Sequence, residues 1–270
     1  MGVPYMGAKI IAIEGLDAVG KNTQSNLLAN KLIELGYKAA VWSWPNYGSE
    51  SCNYVKKYLD GKYPEDTSRK AVCMLYAMDR FNTFKLDKEF IEMMEENDFV
   101  IFDRYVASNI ICQCGLLDLE FTSSYTHVPN VVLGYDEKLA EVVRAAKHEL
   151  AKWIYITEHE DLGIPQPDMT VYLDLKPHTA YGLLQYRART ENRKIDIHET
   201  FEKQSAFYNS FPYVNRVYRD VHVVDCNVYD LTIARIASIN IDAYTTMIRS
   251  KEDISNDVLS IVKKYLIKKN

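Results

Sequence analysis

One short segment narrows the choice of folds more than any other. Gly15-Leu16-Asp17-Ala18-Val19-Gly20-Lys21-Asn22-Thr23 falls between two stretches of different periodicity. Before it, Lys9 to Glu14 is a short Ile-rich run that reads as a buried strand stopped by Gly15. After it, Leu27, Leu28, Leu32 and Leu35 recur at helical spacing within Thr23 to Leu35. A glycine turn between a strand and a helix can aim backbone N–H groups at phosphate oxygens. The helix N-terminus adds positive potential, and a lysine adds a full charge. The spacing G-x-x-x-x-G-K fits, so Gly15, Ala18, Val19, Gly20, Lys21, Asn22 and Thr23 are the candidate phosphate binders. Asn22 stands where Ser or Thr ordinarily holds Mg2+, and its carbonyl oxygen still offers a weakened or water-mediated metal contact.

The rest of the chain agrees with a phosphate site that is local. With 32 Lys and Arg against 37 Asp and Glu, the net charge is −5, which argues against a broad electrostatic grip on nucleic acid. Five cysteines are scattered with no C-x-x-C pair, so neither a disulfide framework nor a zinc site is indicated, and a reducing cytoplasm is the simpler setting. No run approaches the roughly 18 apolar residues of a membrane span, and the first residues fit neither a signal peptide nor a myristoylation signal.

Short buried strands and helices alternate along all 270 residues. Ala39 to Trp44 is a second strand ended by Pro45, and the interval from 9 to 44 suits a right-handed βαβ crossover and a parallel sheet. Ser68 to Asn97 reads as helix with a bend near Thr83 to Asp87, leading to a third strand, Phe99 to Asp103. Tyr135 to Thr157 reads as one long helix, and Met169 to Leu175 as a fourth strand. A helix from Pro177 to about Arg187, another from Asp196 to Arg219, a strand at Val221 to Val224 and a helix from Asp253 to Lys268 complete the pattern. Segments 116–135 and 226–247 lack clear periodicity and are expected to be loops or small excursions. No repeat or Gly/Ser linker divides the chain, so the expectation is one α/β domain over 1–270, a mostly parallel five-stranded sheet with helices on both faces.

Further groups extend the phosphate reading. Asp103-Arg104-Tyr105 follows the third strand, at the carboxyl edge where open α/β sheets bind ligands. Tyr76 and Arg80 are four apart on one helical face, a spacing that can stack a base and hydrogen-bond its carbonyl edge. Arg187, Arg189, Arg193 and Lys194 concentrate cations between two helices of an acidic protein, as a loop closing over transferring phosphates requires.

In this order the pieces resemble thymidylate kinases, nucleoside monophosphate kinases of the P-loop class. The resemblance rests on Ile13-Glu14-Gly15-Leu16-Asp17 through Gln24, Trp44-Pro45, Tyr76 with Arg80, Asp103 through Asn109, Gln113, Trp153 with Glu158, Pro165-Gln166-Pro167-Asp168, and the basic segment ending in Asp196 and Glu199. It implies a P-loop NTPase-type three-layer sandwich with a short basic lid at about 187–198, and transfer of the ATP γ-phosphate to dTMP with Mg2+, in a homodimer. It also implies roles. Lys21 would cradle the phosphates. Asp17 would lie between the substrates near the metal, and Arg104 would hold the acceptor phosphate. Tyr76 would stack on thymine where the family usually has Phe, Arg80 would read the base's carbonyl, and Ser108, Asn109 and Gln113 would line the nucleoside pocket. With no basic residue between Asp17 and Gly20, the lid arginines Arg189 and Arg193 become the catalytic candidates. Three positions depart from the family pattern. Asn22 follows the lysine, Asn46 follows Trp44-Pro45 where an Arg is common, and Cys112 replaces a Tyr that crowds the sugar's 2′ position. They leave open a kinase of another pyrimidine nucleoside monophosphate such as dUMP, or a nucleotide-binding module without catalysis.

Overall fold

Five strands form one sheet in the order β2-β3-β1-β4-β5, every neighbouring pair parallel. The computed structural model describes residues 7–126, 137–192, 196–229 and 241–267. The strands are β1 (Lys9–Gly15), β2 (Ala39–Ser43), β3 (Phe99–Asp103), β4 (Met169–Asp174) and β5 (Val221–Asp225). The helices are α1 (Lys21–Glu34), α2 (Asn53–Leu59), α3 (Arg69–Leu86), α4 (Lys88–Glu96), α5 (Val106–Thr126), α6 (Glu137–Tyr155), α7 (Pro177–Thr190), α8 (Phe201–Tyr208) and α9 (Lys251–Tyr265). The central strands are continuous apolar runs because both faces of a parallel sheet are covered: Ile10, Ile11, Ile13, Val100, Ile101, Phe102, Val171 and Leu173 are all buried. Right-handed crossovers sort the helices. The connection from β1 to β2 runs one way along the sheet, so α1 packs on one face, joined by α9. The connections that step back toward β5 put α3, α5 and α6 on the other. The direction reverses between β1 and β3, whose carboxyl ends are level, with Ile13 opposite Asp103. A crevice at such a switch point is where open α/β sheets bind ligands.

The bend expected near Thr83 to Asp87 is a break between α3 and α4 at Asp87, whose carboxylate caps α4 by accepting from the Phe90 N–H at 3.1 Å. The long helix expected to reach Thr157 becomes α6 followed by one π-helical turn, Ile156–Asp161. Two expectations are corrected. Residues 116–126, read as loop, continue α5, which packs against α3, α6 and α8 at once. Its end mixes Leu116, Leu117, Leu119 and Phe121 with Asp118, Glu120, Thr122, Ser123 and Ser124, so no clean apolar stripe marks it as a helix. The single helix expected from Asp196 to Arg219 is instead α8 and a 3₁₀ turn, Phe211–Arg216, because Pro212 cannot continue an α-helical hydrogen-bond ladder. Thr200 caps α8 by accepting from the Lys203 N–H at 3.3 Å. Of the segment 226–247, a 3₁₀ turn covers Ile241–Thr246 and Asn227 bridges Ile248, whereas 230–240, like 127–135, lies outside the described residues.

Gly15 has φ +147, and a Cβ there would sit 2.8 Å from the Leu173 carbonyl oxygen and 3.0 Å from Val19 Cγ1. Gly20 has φ +96 with nothing within 4 Å of its added Cβ. Gly15→Ala is therefore expected to destabilise by about 1–3 kcal/mol and more than Gly20→Ala, measured as the shift in urea midpoint.

Candidate active site

The end of β1 and the end of β3 build the site together. After Gly15 the chain turns through Ala18, in the left-handed region at φ 61, and enters α1 at Gly20. This places Lys21 on the first turn, buried, with Nζ donating to the carbonyls of Gly15 at 3.1 Å and Leu16 at 2.6 Å. Beside it, Arg104 adopts φ 69, an unusual backbone for a long side chain, and its N–H donates to the Ile13 carbonyl at 3.0 Å. The Arg104 guanidinium then meets the Asp17 carboxylate in a charge-assisted hydrogen bond. Lys21 Nζ lies 3.9 Å from the same carboxylate.

Each charge is shifted by this company. Burial pushes Asp17 upward, but Arg104 and Lys21 outweigh it and hold the carboxyl well below the usual range. Burial lowers Arg104, but Asp17 more than offsets it and the guanidinium stays firmly charged. Burial, with Arg104 nearby, brings Lys21 down to about 8.

Two clefts open on either side of this pair. One is lined by Asp17, Ala18, Gly20, Lys21, Asn22 and Thr23 of the loop, with Asp103, Arg104, Leu184, Arg187 and Glu199 around it. The other runs inward over Asp17, Arg104, Ser108, Cys112, Tyr76 and Arg80, with Asn109, Gln113 and His198 also in its walls. Asp17 and Arg104 belong to both. Ligands in the two clefts would therefore meet at one ion pair.

The inner cleft ends in a fixed polar wall. Arg80 donates from Nε and Nη2 to the two oxygens of Glu158, at 2.6 and 2.7 Å, with both side chains buried. Asn109 Nδ2 donates to the same carboxylate at 3.0 Å and to the Cys73 carbonyl at 3.2 Å. Glu158 sits on the π-helical turn, a distortion that often marks functional sites. Gln113 Oε1 faces Arg69 Nη1 at 3.5 Å, and the Tyr76 ring meets Tyr58 edge-on at 6.4 Å.

Four residues of the site were given no role by the sequence. Glu158 orients Arg80. Glu14, fully buried, accepts from the N–H groups of Tyr105 at 2.8 Å and Ser108 at 3.1 Å and from the Ser108 hydroxyl. It caps α5 and pins the turn that presents Arg104, while burial holds its own proton affinity up. Gln204, on α8, accepts from the Asp17 N–H at 3.2 Å and donates to Asp17 Oδ2 at 2.9 Å and to the His198 carbonyl at 3.2 Å. His198 is the fourth, and the Asp196-x-His198-Glu199 spacing near the basic segment was its only sequence signal.

Among the loop candidates, Gly15 and Val19 lie beneath the cleft: Gly15 supplies a carbonyl to Lys21, and Val19 is packed in the core. Arg187, in the last turn of α7, lines the outer cleft, whereas Arg189 is exposed two residues further on and is not among its lining residues. Arg193 lies outside the described residues. No group of three or more His, Cys, Asp or Glu able to hold a metal occurs among the described residues. The outer cleft nonetheless offers oxygen donors from Asp17, Asn22, Thr23 and Asp103, a hard set that fits Mg2+, which keeps several waters and takes most of its remaining ligands from substrate phosphates. All five cysteines are free, and no helix among the described residues is long and apolar enough to cross a membrane.

A phosphate-binding loop at the switch point of a parallel 2-3-1-4-5 sheet, with a second cleft meeting it at one Asp–Arg pair, defines a P-loop phosphotransferase of the nucleoside monophosphate kinase class. Comparison with known proteins carries this one step further. Residues 13–149 match the family model described as thymidylate kinase. A probable thymidylate kinase of Methanococcus aeolicus is 26% identical over 208 residues, 73% of this chain and 95% of that one. The thymidylate kinase of Plasmodium falciparum is 24% identical over 259 residues, 96% of this chain and 91% of its own. Among solved structures, thymidylate kinase from Candida albicans superposes with a TM-score of 0.59 at 18% identity, covering 96% of this chain and 92% of that one. The chain belongs to the thymidylate kinase family.

Two outcomes test the site's electrostatics. Removing one partner of the Arg80–Glu158 pair strands a buried charge, so Glu158→Ala is expected to cost about 3–5 kcal/mol, and Arg80→Met with Glu158→Met to recover most of it, in denaturant melts. His198 is buried, and burial together with Lys203 lowers its imidazole from the ordinary 6.5 to about 4, with Arg69 and Arg104 adding to the shift and Asp17 opposing it. The folded state therefore binds the proton less readily than the unfolded one. Its contribution to stability is complete above pH 6.5 and is lost as pH falls toward 4. Lowering pH from 7 to 5 is expected to cost the wild type about 2 kcal/mol more than His198→Asn, read from urea midpoints at both pH values.

Proposed function

We propose that this enzyme transfers the γ-phosphate of ATP to dTMP, giving dTDP and ADP. The observation that carries the reading is the meeting of two clefts at Asp17 and Arg104, with a phosphate loop in one and an aromatic and amide-rich wall in the other. In this reading ATP occupies the outer cleft, its phosphates against the loop N–H groups and Lys21. dTMP occupies the inner cleft, with its phosphate on Arg104, its base against Tyr76, and its carbonyl edge toward Arg80. Ser108, Asn109 and Gln113 complete the nucleoside pocket.

In the transfer an oxygen of the dTMP phosphate forms a bond to the γ-phosphorus while the bond from that phosphorus to the β,γ-bridging oxygen breaks, and ADP leaves with the electron pair. Such a reaction is mostly positioning and neutralisation of spread-out charge. The acceptor oxygen is already anionic, so no general base is required of His198 or His159. Lys21 and Arg104 supply fixed positive charge, and the lid arginines, Arg189 and Arg193 with Arg187 beside them, add more on closure. Mg2+, held by Asn22, Asp17 or Asp103 with water, would neutralise the ATP phosphates.

The wider reading includes one kinase domain over 1–270, a cytoplasmic location, a homodimer, and small-molecule substrates without nucleic acid or membrane partners. A second reading, a kinase of another pyrimidine nucleoside monophosphate such as dUMP, is favoured by Cys112, whose small side chain lines the inner cleft.

The test is a coupled ADP-release assay with ATP and Mg2+ against dTMP, dUMP, dCMP, ribothymidine monophosphate, dAMP and dGMP. Turnover greatest on dTMP, with a roughly hundredfold loss of kcat/KM in Arg104→Ala, is expected. Preference for another pyrimidine would move the substrate and keep the mechanism, and ATP binding with no turnover on any acceptor would overturn both.

A further inference from the structure

His198 is 8% exposed in the wall of the inner cleft, and among the described residues neither Nδ1 nor Nε2 has a hydrogen-bond partner. A buried polar group with no partner is rare in a folded chain and calls for an explanation. The ring is held in place, facing Tyr58 at 5.7 Å and Phe207 at 5.9 Å between centroids. Its backbone is equally fixed: the N–H donates to Asp196 Oδ1 at 2.7 Å, and the carbonyl accepts from Gln204, which also grips Asp17.

The chemistry of the cleft says what the imidazole waits for. One end carries Arg104 and Asp17, a charged end suited to phosphate. The far wall carries Arg80 and Asn109, which supply hydrogen-bonding groups for a base edge. A neutral imidazole suits neither task as well as it suits a hydroxyl, because each presents one donor and one acceptor. Burial first, and then the cations Lys203, Arg69 and Arg104, disfavour a second proton, with Asp17 opposing them.

We propose that His198 is a specificity residue of the acceptor site, its imidazole hydrogen-bonding a sugar hydroxyl of the bound nucleoside monophosphate. This rests on the reading of the inner cleft as the acceptor site. A nucleotide lacking that hydroxyl leaves the buried nitrogens unpaired, the circumstance in which discrimination against an analogue is strongest.

The experiment is calorimetric binding of dTMP and of 2′,3′-dideoxythymidine monophosphate to the full chain without ATP. The wild type should prefer dTMP. His198→Phe, which keeps the aromatic packing, should narrow that preference by about tenfold through weaker dTMP binding alone, leaving the dideoxy analogue within about twofold. His198→Gln should restore most of the preference, and His198→Leu serves as the apolar variant if the Phe variant does not fold. Equal weakening of both nucleotides, or a preference unmoved by the apolar variant, overturns the proposal while the acceptor reading stands. No dTMP binding by the wild type overturns both.

Discussion

The Asp17–Arg104 ion pair is the interaction on which the rest of this site depends. It spans the gap between β1 and β3, it forms part of both clefts, and much of the local architecture serves to present it. Arg104 takes an unusual backbone angle to point back across the switch point, and Glu14 holds the turn in that state from beneath. Asp17 is gripped from the other side by Gln204. The two ionic pairs of the inner cleft differ in a way that decides their roles. Arg80 and Glu158 are 3% and 1% exposed, so separating them strands charge in a low-dielectric interior, and they form a fixed wall. Arg104 and Asp17 are 28% and 20% exposed and line both clefts, so this pair, unlike the first, stands where a bound phosphate can reach the guanidinium.

Lys21 shows the same logic at smaller scale. Its ammonium donates to the carbonyls of Gly15 and Leu16, which satisfies two of its three donors, and its nearest carboxylate, Asp17, stands 3.9 Å away and is shared with Arg104. Burial beside Arg104 weakens its hold on its proton, so the lysine gains most when a phosphate arrives.

Much of this was legible in the sequence because the signals were local. A strand, a glycine turn and a helix announce the loop, and the apolar runs at 99–103 and 169–175 announce central strands, because a parallel sheet needs no alternation. Helical spacing set Tyr76 and Arg80 on one face of α3, but only the family resemblance made them a site. What escaped either lacked a clean local pattern or depended on long-range contact. Helix α5 past residue 116 interleaves apolar residues with Asp118, Glu120 and a Thr/Ser run, and Pro212 ends a helix that periodicity alone would carry on. Glu158 reaches Arg80 across 78 residues and Gln204 reaches Asp17 across 187, separations at which sequence spacing carries no geometric information.

Gln204 also ties α8 to the phosphate loop. A single amide holds the Asp17 backbone, the Asp17 carboxylate and the His198 carbonyl, so α8 cannot shift without moving either the anion at the junction or the imidazole in the cleft wall. The segment just before α8 is the end of the basic stretch, with Asp196 accepting from the His198 N–H. In the proposed reading, a nucleotide bound at His198 and Arg104 would bear on Asp17 and Gln204 through these same bonds. Coupling of this kind needs only a short rigid link between two sites and a free energy shared between them.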